Sequence, residues 1–163
     1  RLRVPVPPER GLTARLGVPP GEPGDRRDHL ETQARGGDEL RRDGLAVERH
    51  NRLHPGQKPQ LSYVEECLTG RKGPVIASTD YMKLYADQVR AWVPSDYTVL
   101  GTDGFGRSDT REKLRYFFEV DRYFVTVAAL RALADRGEID RKHVGEALKK
   151  YGIDANKPNP LTS

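Results

Sequence analysis

The chain has 163 residues, a mass of 18.4 kDa, a net charge of +4 and 32% charged residues. This length favours one domain with an additional tail, and the alternation of basic with acidic residues argues against nucleic-acid binding. No apolar run approaches the roughly 20 residues that cross a bilayer, and no basic-then-apolar signal segment is found. We therefore expect a cytoplasmic protein without a membrane partner. The single cysteine, Cys67, excludes an internal disulfide framework and a multi-cysteine metal site.

The first 40 residues differ in composition from the rest of the chain. They contain six prolines, six glycines and no aromatic residue, and their seven arginines are balanced by seven acidic residues. Such a segment buries too little apolar surface to offset its ordering entropy, so we predict that residues 1–37 are disordered. Residues 38–72 are predicted to form a helical linker, and residues 73–163 a folded domain.

The linker contains two predicted helices. Leu45 to Leu53 is predicted to form a short helix that ends at Pro55-Gly56. Ser62 and Glu65 have the S-x-x-E spacing of a capping box, which predicts a second helix that ends at Gly70.

The folded domain begins with a strand–helix–strand pattern. Short apolar runs at residues 74–77 and 97–100 predict two strands, and the intervening helix is predicted to start at Thr79-Asp80 and to end before Pro94. A βαβ unit of this kind favours parallel pairing. Further helices are predicted at residues 110–118, at 123–134, where an almost entirely apolar sequence predicts burial, and from Asp140 to Tyr151, followed by an extended tail. We therefore predict an α/β fold, a small three-layer domain with a parallel-type sheet.

The glycine-rich segment from Gly101 to Asp109 follows the second predicted strand. Open α/β sheets bind ligands at this position, and the N-terminus of the next helix offers N–H groups to an anion. The candidate anion-binding residues are Gly104, Gly106, Arg107 and Ser108. Because the G-x-x-G-x-G spacing matches neither the dinucleotide motif nor the P-loop, a tight turn in which Asp109 and Glu112 cap the next helix is the alternative.

Other side chains do not form a recognisable catalytic or metal-binding set. His50 and His54 have a spacing that suits two ligands on a helix, but the H-E-x-x-H pattern and a convincing third ligand are missing. Cys67 is interpreted as a partly buried small side chain. The carboxylates of Asp80, Asp103 and Asp109 fall where helix caps are expected. We therefore predict no catalytic residue and no metal ligand.

Several runs of sequence resemble the C-terminal region of the bacterial homodimeric pyruvate dehydrogenases. They are GPVIASTDYMKLYADQVR at 73–90, LGTDGFGRSDTRE at 100–112 and FEVD at 118–121, with shorter matches at 42–44, 48–51 and 53–55. The resemblance extends from about residue 38 to the C-terminus. The turn G-T-D-G-F-G is also similar to that of the wider transketolase group, whose C-terminal domain is a small α/β unit.

The resemblance implies an enzyme that decarboxylates pyruvate on thiamine diphosphate and Mg²⁺ and acetylates a lipoyl group of the dihydrolipoyl acetyltransferase component. In that family the cofactor lies between two other domains and is bound by a motif that begins G-D-G and ends N-N. Here Thr102 precedes Asp103-Gly104, and Asn156 and Asn159 are not adjacent. We therefore expect a fragment that is inactive alone, binds no cofactor, and packs with the remaining domains and the second subunit.

Two other hypotheses assign the chain a role of its own. One is a free-standing α/β module that binds an anionic ligand at the turn from Gly101 to Asp109. The other is an interaction domain that pairs with an intact enzyme subunit. Residues 1–37 do not resemble the family, and their composition is typical of GC-rich codons read in another frame. We hypothesise a truncated or frameshifted product whose native part starts near Asp38, with a genuine disordered extension as the alternative.

Overall fold

The computed structural model describes the backbone of residues 26–163 and the side chains from residue 36 onward. The described residues form two compact units, which divide between Cys67 and Leu68. In chain order the elements are α1 (Arg26–Leu53), α2 (Tyr63–Leu68), β1 (Val75–Ser78), α3 (Lys83–Asp87), a 3-10 turn (Arg90–Trp92), β2 (Tyr97–Leu100), α4 (Arg111–Phe117), α5 (Arg122–Asp135) and α6 (Lys142–Tyr151). No helix within the described range has the length and apolar character needed to cross a membrane.

Helix α1 is much longer than the predicted helix from Leu45 to Leu53. Of the segment predicted to be disordered, residues 1–25 lie outside the described residues, whereas residues 26–37 differ from the prediction and form the first part of α1. The composition of the first 40 residues is misleading here because all six prolines precede residue 24. The prolines therefore do not interrupt α1, and an exposed ion pair of 2.7 Å between Arg42 and Asp38, four residues apart, lies further along this helix.

Helix α2 begins with the predicted capping box, which is confirmed. Both the amide and the hydroxyl of Ser62 donate to Oε2 of Glu65 at 2.7 Å, and the Glu65 amide donates back to the hydroxyl at 3.3 Å. Ser62 is fully buried. The Tyr63 amide donates to a carboxylate oxygen of Asp43 at 2.7 Å, so a side chain of α1 also satisfies the start of α2.

The two predicted strands pair in parallel, as expected. Val75 lies opposite Tyr97 and Ser78 lies opposite Leu100, so the first strand is shifted by one residue from its predicted bounds. The Tyr97 hydroxyl donates to the Ala86 carbonyl in α3 at 2.7 Å. Helix α5 packs against β1 and α3 against β2, and the Ser78 hydroxyl donates to the Val120 carbonyl shortly before α5. Side chains along a strand alternate between its two faces, so Tyr97 and Leu100 lie on opposite faces of the sheet. The helices cover both of these faces, which confirms the three-layer α/β fold.

The segment after β1 differs from the predicted helix. The predicted cap at Thr79-Asp80 lies instead in a bend between β1 and the helix, where the Thr102 amide donates to the Tyr81 carbonyl at 2.9 Å. The helix begins only at Lys83, whose amide donates to a carboxylate oxygen of Asp103 at 2.9 Å. Asp103, which is 20 residues away in sequence, therefore caps the helix in place of Thr79-Asp80.

The hydrophobic core of the described residues is small. Helix α5 was expected to be buried on all sides, but only Ala134 is buried, and the other side chains are half-buried or exposed. The physical reason is that a two-stranded sheet is too narrow to cover a helix that is apolar almost all round. The buried apolar residues are Leu40 and Val64 in the first unit, and Val89, Trp92, Val120, Ala134 and Ala147 in the second.

Candidate functional site

The glycine-rich segment begins where β2 passes close to the start of α3. Gly101 is buried, and a Cβ atom there would lie 2.8 Å from both the Lys83 nitrogen and the Tyr81 carbonyl oxygen. These distances are too short for any side chain. Glycine at this position is therefore explained by the approach of two main-chain segments.

Gly104 is shaped by the C-terminal tail. Its φ is +109°, and a Cβ atom would overlap the Pro160 carbonyl oxygen and lie 3.0 Å from the carbonyl carbon. Gly106 has neither constraint, since its φ is not in the left-handed range and its Cβ position is open. Packing against the tail therefore explains why residue 104 is a glycine, whereas it does not explain the glycine at position 106.

Arg107 and Ser108 lie on the exposed part of the same loop. The guanidinium carbon of Arg107 lies 4.1 Å from the centroid of the Phe117 ring, the geometry of a cation–π contact. The loop therefore brings Arg107 to an aromatic face in α4. Anion binding at Gly104, Gly106, Arg107 and Ser108 remains a prediction.

Helix α4 is capped one residue later than predicted. Thr110, rather than Asp109, is the N-cap, and its side chain accepts a hydrogen bond from the Lys113 amide at 3.4 Å. Asp109 accepts from the Thr110 amide at 2.7 Å and lies 3.6 Å from the Lys113 ammonium nitrogen. A carboxylate thus already occupies the approach to this helix start, where an anionic ligand was predicted to bind.

Asp80 connects two elements that the sequence keeps far apart. Arg115 donates to it from two nitrogens, at 3.2 Å to Oδ1 and 2.6 Å to Oδ2. Arg111 lies 3.9 Å from the same carboxylate. Asp80 was predicted to cap a helix, but it pairs in bidentate fashion with α4. No local signal identifies a partner 35 residues away.

Lys157 fastens the tail to the domain. Its ammonium nitrogen lies 2.9 Å from the Phe117 carbonyl oxygen and 2.9 Å from a Glu119 carboxylate oxygen. Its side chain is only 10% exposed, and the rings of Tyr116, Phe117 and Phe124 lie 5.5–5.9 Å from the nitrogen. The tail, predicted to be extended, instead forms turns, including one in which the Thr162 amide donates to the Asn159 carbonyl.

The histidine pair forms a stacked contact. The ring centroids of His50 and His54 are 4.2 Å apart, and a nitrogen of His50 lies 3.0 Å from the Gln60 side-chain nitrogen. Among residues whose side chains are described, no group of three or more histidine, cysteine, aspartate or glutamate side chains is arranged to hold a metal ion. Cys67 is a free thiol of intermediate burial.

The clearest electrostatic perturbation lies at the end of α5. Nε of Arg131 donates to Oδ2 of Asp135 at 2.7 Å. This hydrogen bond, with smaller help from the charges of Arg131 and Arg141, holds the pKa of Asp135 below its usual value. The pair is exposed and four residues apart on one helix, so it is a structural ion pair of the helix surface.

Comparison with known proteins identifies the family. Residues 30–121 match the family model of the transketolase-like TK C-terminal domain. The chain is 77% identical over 124 residues to the pyruvate dehydrogenase E1 component of Pseudomonas aeruginosa and 63% over 124 residues to that of Cupriavidus necator. Identity to the same component of Escherichia coli K12 is 58% over 123 residues. These matches cover 75–76% of this chain and 14% of each relative, and with the three-layer fold they establish that the chain belongs to the transketolase-like C-terminal domain family.

Proposed function

We propose that this chain is the part of a pyruvate dehydrogenase E1 component that packs against the catalytic domains and supports the dimer, without catalysing the reaction itself. The observation that carries the proposal is the 77% identity over 124 residues to the E1 component of P. aeruginosa, of which the chain spans 14%. For the whole enzyme we propose oxidative decarboxylation of pyruvate and acetyl transfer to lipoyl groups of the dihydrolipoyl acetyltransferase component. The proposed location is the cytoplasm.

Thiamine diphosphate and Mg²⁺ are the cofactors that we propose for the whole enzyme, and the described residues do not fit them. The Pro160 carbonyl oxygen lies where a Cβ atom of residue 104 would be, and the Arg107 guanidinium is stacked on Phe117. The Asp103 carboxylate accepts a hydrogen bond from the Lys83 amide. Because no cluster of metal-ligating side chains occurs in the part of the chain whose side chains are described, we assign the cofactor site to other parts of the enzyme and derive no catalytic step here.

The surface of the described residues supports a packing role. Helix α5 is rich in apolar side chains, yet most of them remain half-exposed. An open groove of about 540 Å³ lies beside β2 and α5, and its lining combines apolar side chains, such as Leu100, Phe124 and Val127, with charged ones, such as Arg131 and Asp135. Apolar surfaces of this kind are covered in complete proteins by neighbouring segments. They are therefore consistent with a domain that packs against the rest of its enzyme.

Reconstitution of the enzyme from two pieces tests this proposal. The E1 component of P. aeruginosa, lacking the 124 residues that this chain matches, is co-expressed with this chain. Pyruvate-dependent reduction of an artificial electron acceptor is then measured. Neither piece alone is expected to be active, and the co-purified pair is expected to regain activity.

A Trp92→Asp variant is the matched control, because a charge in the small core should unfold the chain and prevent rescue. Turnover of pyruvate by this chain alone, or no rescue by the folded wild type, would contradict the proposal. Thermal protection of the chain by inorganic phosphate would instead support the anion-binding module.

A further inference from the structure

The segment between α2 and β1 carries two adjacent basic residues. Helix α2 ends at Leu68, next to the division between the two compact units, and β1 begins at Val75. Arg71 and Lys72 lie between these elements, outside any helix or strand, and both are exposed. Exposed loops of small and polar residues are the places where folded chains are cut by proteases. The two basic residues therefore lie where a protease has access to the main chain.

Few contacts hold this segment in place. The Arg71 amide donates to the Leu68 carbonyl at 3.0 Å. Among the residues whose side chains are described, no hydrogen bond, ion pair or ring contact involves the side chain of Arg71 or Lys72. Gly70 and Gly73 flank the pair, and a Cβ atom at either position would meet nothing within 4 Å. The segment therefore adopts the extended form that a protease binds with little loss of native contacts.

Two other lysines outside helices and strands precede a proline. Lys58 is followed by Pro59, and Lys157 is followed by Pro158. Proteases that cut after a basic residue cleave a bond to proline poorly, because the proline nitrogen carries no hydrogen and its ring fixes the backbone. The side chain of Lys157 is also only 10% exposed. Neither lysine therefore competes with Arg71 and Lys72 as a cleavage site.

Three arginines outside helices and strands are held by contacts of their own: Arg107, Arg136 and Arg141. The Arg107 guanidinium carbon lies 4.1 Å from the centroid of an aromatic ring in α4. Arg136 and Arg141 form ion pairs of 2.6 and 3.4 Å with nearby carboxylates. A basic side chain must leave such a partner to enter the specificity pocket of a protease. Within residues 36–163, only Arg71 and Lys72 are irregular, exposed, without a side-chain partner and not followed by proline.

We propose that the segment from Gly70 to Gly73 is a cleavage site for serine proteases of trypsin-like specificity, which separate the second unit as a folded domain. The acidic specificity pocket of such an enzyme binds the side chain of Arg71 or Lys72. Water is the second reactant: the peptide bond after the bound residue breaks, that residue gains a carboxylate, and the next residue gains an amino group.

The contacts that define each unit lie on one side of the cut. Before it, the capping box starts α2, and the Tyr63 amide donates to Asp43 in α1 at 2.7 Å. After it, the pairing of β1 with β2 begins at Val75, and the buried apolar residues of the second unit begin at Val89. Cleavage at Arg71 or Lys72 therefore removes none of these contacts.

Limited proteolysis of the full chain tests the proposal. The chain is treated briefly with trypsin in native buffer, and the products are identified by their intact mass. A fragment that begins at Lys72 or Gly73 and ends at Ser163 is expected to form at least about tenfold faster than any product of a cut within that fragment. Circular dichroism of the purified fragment is expected to show a cooperative thermal transition.

Two double variants form a matched pair for this experiment. Arg71→Gln with Lys72→Gln removes both basic side chains and is expected to slow this cut by at least about 100-fold at an unchanged Tm, because neither side chain has a partner. Lys149→Gln with Lys150→Gln replaces an equally exposed basic pair in α6 and is expected to leave the rate of the cut unchanged. Proteinase K, which does not require a basic residue, is expected to cut the same segment in all three proteins.

The possible outcomes separate this inference from the proposed function. Cuts within the second unit as fast as those after Arg71 and Lys72 would overturn it, and so would resistance of the segment to proteinase K. A fragment without a thermal transition would show that the second unit does not remain folded and would also overturn it. Each of these results leaves the proposed function intact, because reconstitution of the enzyme is measured with the uncut chain.

Discussion

Replacing Gly104 with alanine tests whether the C-terminal tail shapes the glycine-rich turn. At φ +109° a non-glycine residue is strained, and the new Cβ would overlap the Pro160 carbonyl oxygen. Backbone strain of this kind costs about 1–3 kcal/mol, and displacement of the tail adds to it. In a unit of roughly 100 residues, 1 kcal/mol changes Tm by about 4–8 °C. Gly104→Ala is therefore expected to lower Tm by roughly 5–20 °C, measured by circular dichroism.

Gly106→Ala is the matched control, because Gly106 lies two residues away with an open Cβ position and no left-handed φ. Alanine at such a position is neutral or stabilises by up to about 1 kcal/mol through the unfolded state. A Gly104→Ala variant with the Tm of Gly106→Ala would refute the packing explanation of the turn. The candidate anion-binding role of both glycines would then regain support.

Three further predictions concern side chains outside the turn. Lys157→Met removes two charge-assisted hydrogen bonds at a nearly buried position and should lower the free energy of unfolding in urea by about 1.5–3 kcal/mol. Lys150→Met, on the exposed face of α6, should change it little. Equal effects of the two substitutions would contradict the anchoring of the tail by Lys157. Trp92 Nε1 is buried without a hydrogen-bond partner in the described structure. Trp92→Phe should therefore lower the free energy of unfolding far less than Trp92→Ala, for which about 3–5 kcal/mol is expected. Equal losses for the two variants would show that the indole N–H contributes to stability. Arg131→Ala should raise the pKa of Asp135, followed by NMR titration, toward its ordinary value of about 3.9. Because folding lowers this pKa, the stabilisation by the pair is present above the ordinary value and is lost as the pH falls through the folded pKa; an unchanged pKa would contradict the assignment of its cause.

Local signals in the sequence were sufficient for several elements. Ser62 and Glu65 form the capping box that their spacing indicates, because both groups belong to one helical turn. Gly152 ends α6 with φ +64°, as a glycine directly after a helical pattern predicts. The two apolar runs became parallel strands, and the resemblance to the pyruvate dehydrogenases is confirmed by the comparisons. The contacts that form the cap and the helix end lie within a few residues of one another. The resemblance to the family depends on long runs of matching sequence.

Only the tertiary structure decided the features that depend on residues far apart in sequence. Thr79 and Asp80 do not cap a helix, because the Thr102 amide holds the Tyr81 carbonyl in the bend after β1 and the distant Asp103 carboxylate accepts from the first amide of α3. Gly104 must be glycine because the chain returns to it more than 50 residues later at Pro160. The exposure of α5 follows from the width of the sheet beneath it. Sequence periodicity reports which residues favour burial, but the neighbours that bury them are determined by how distant segments meet in space.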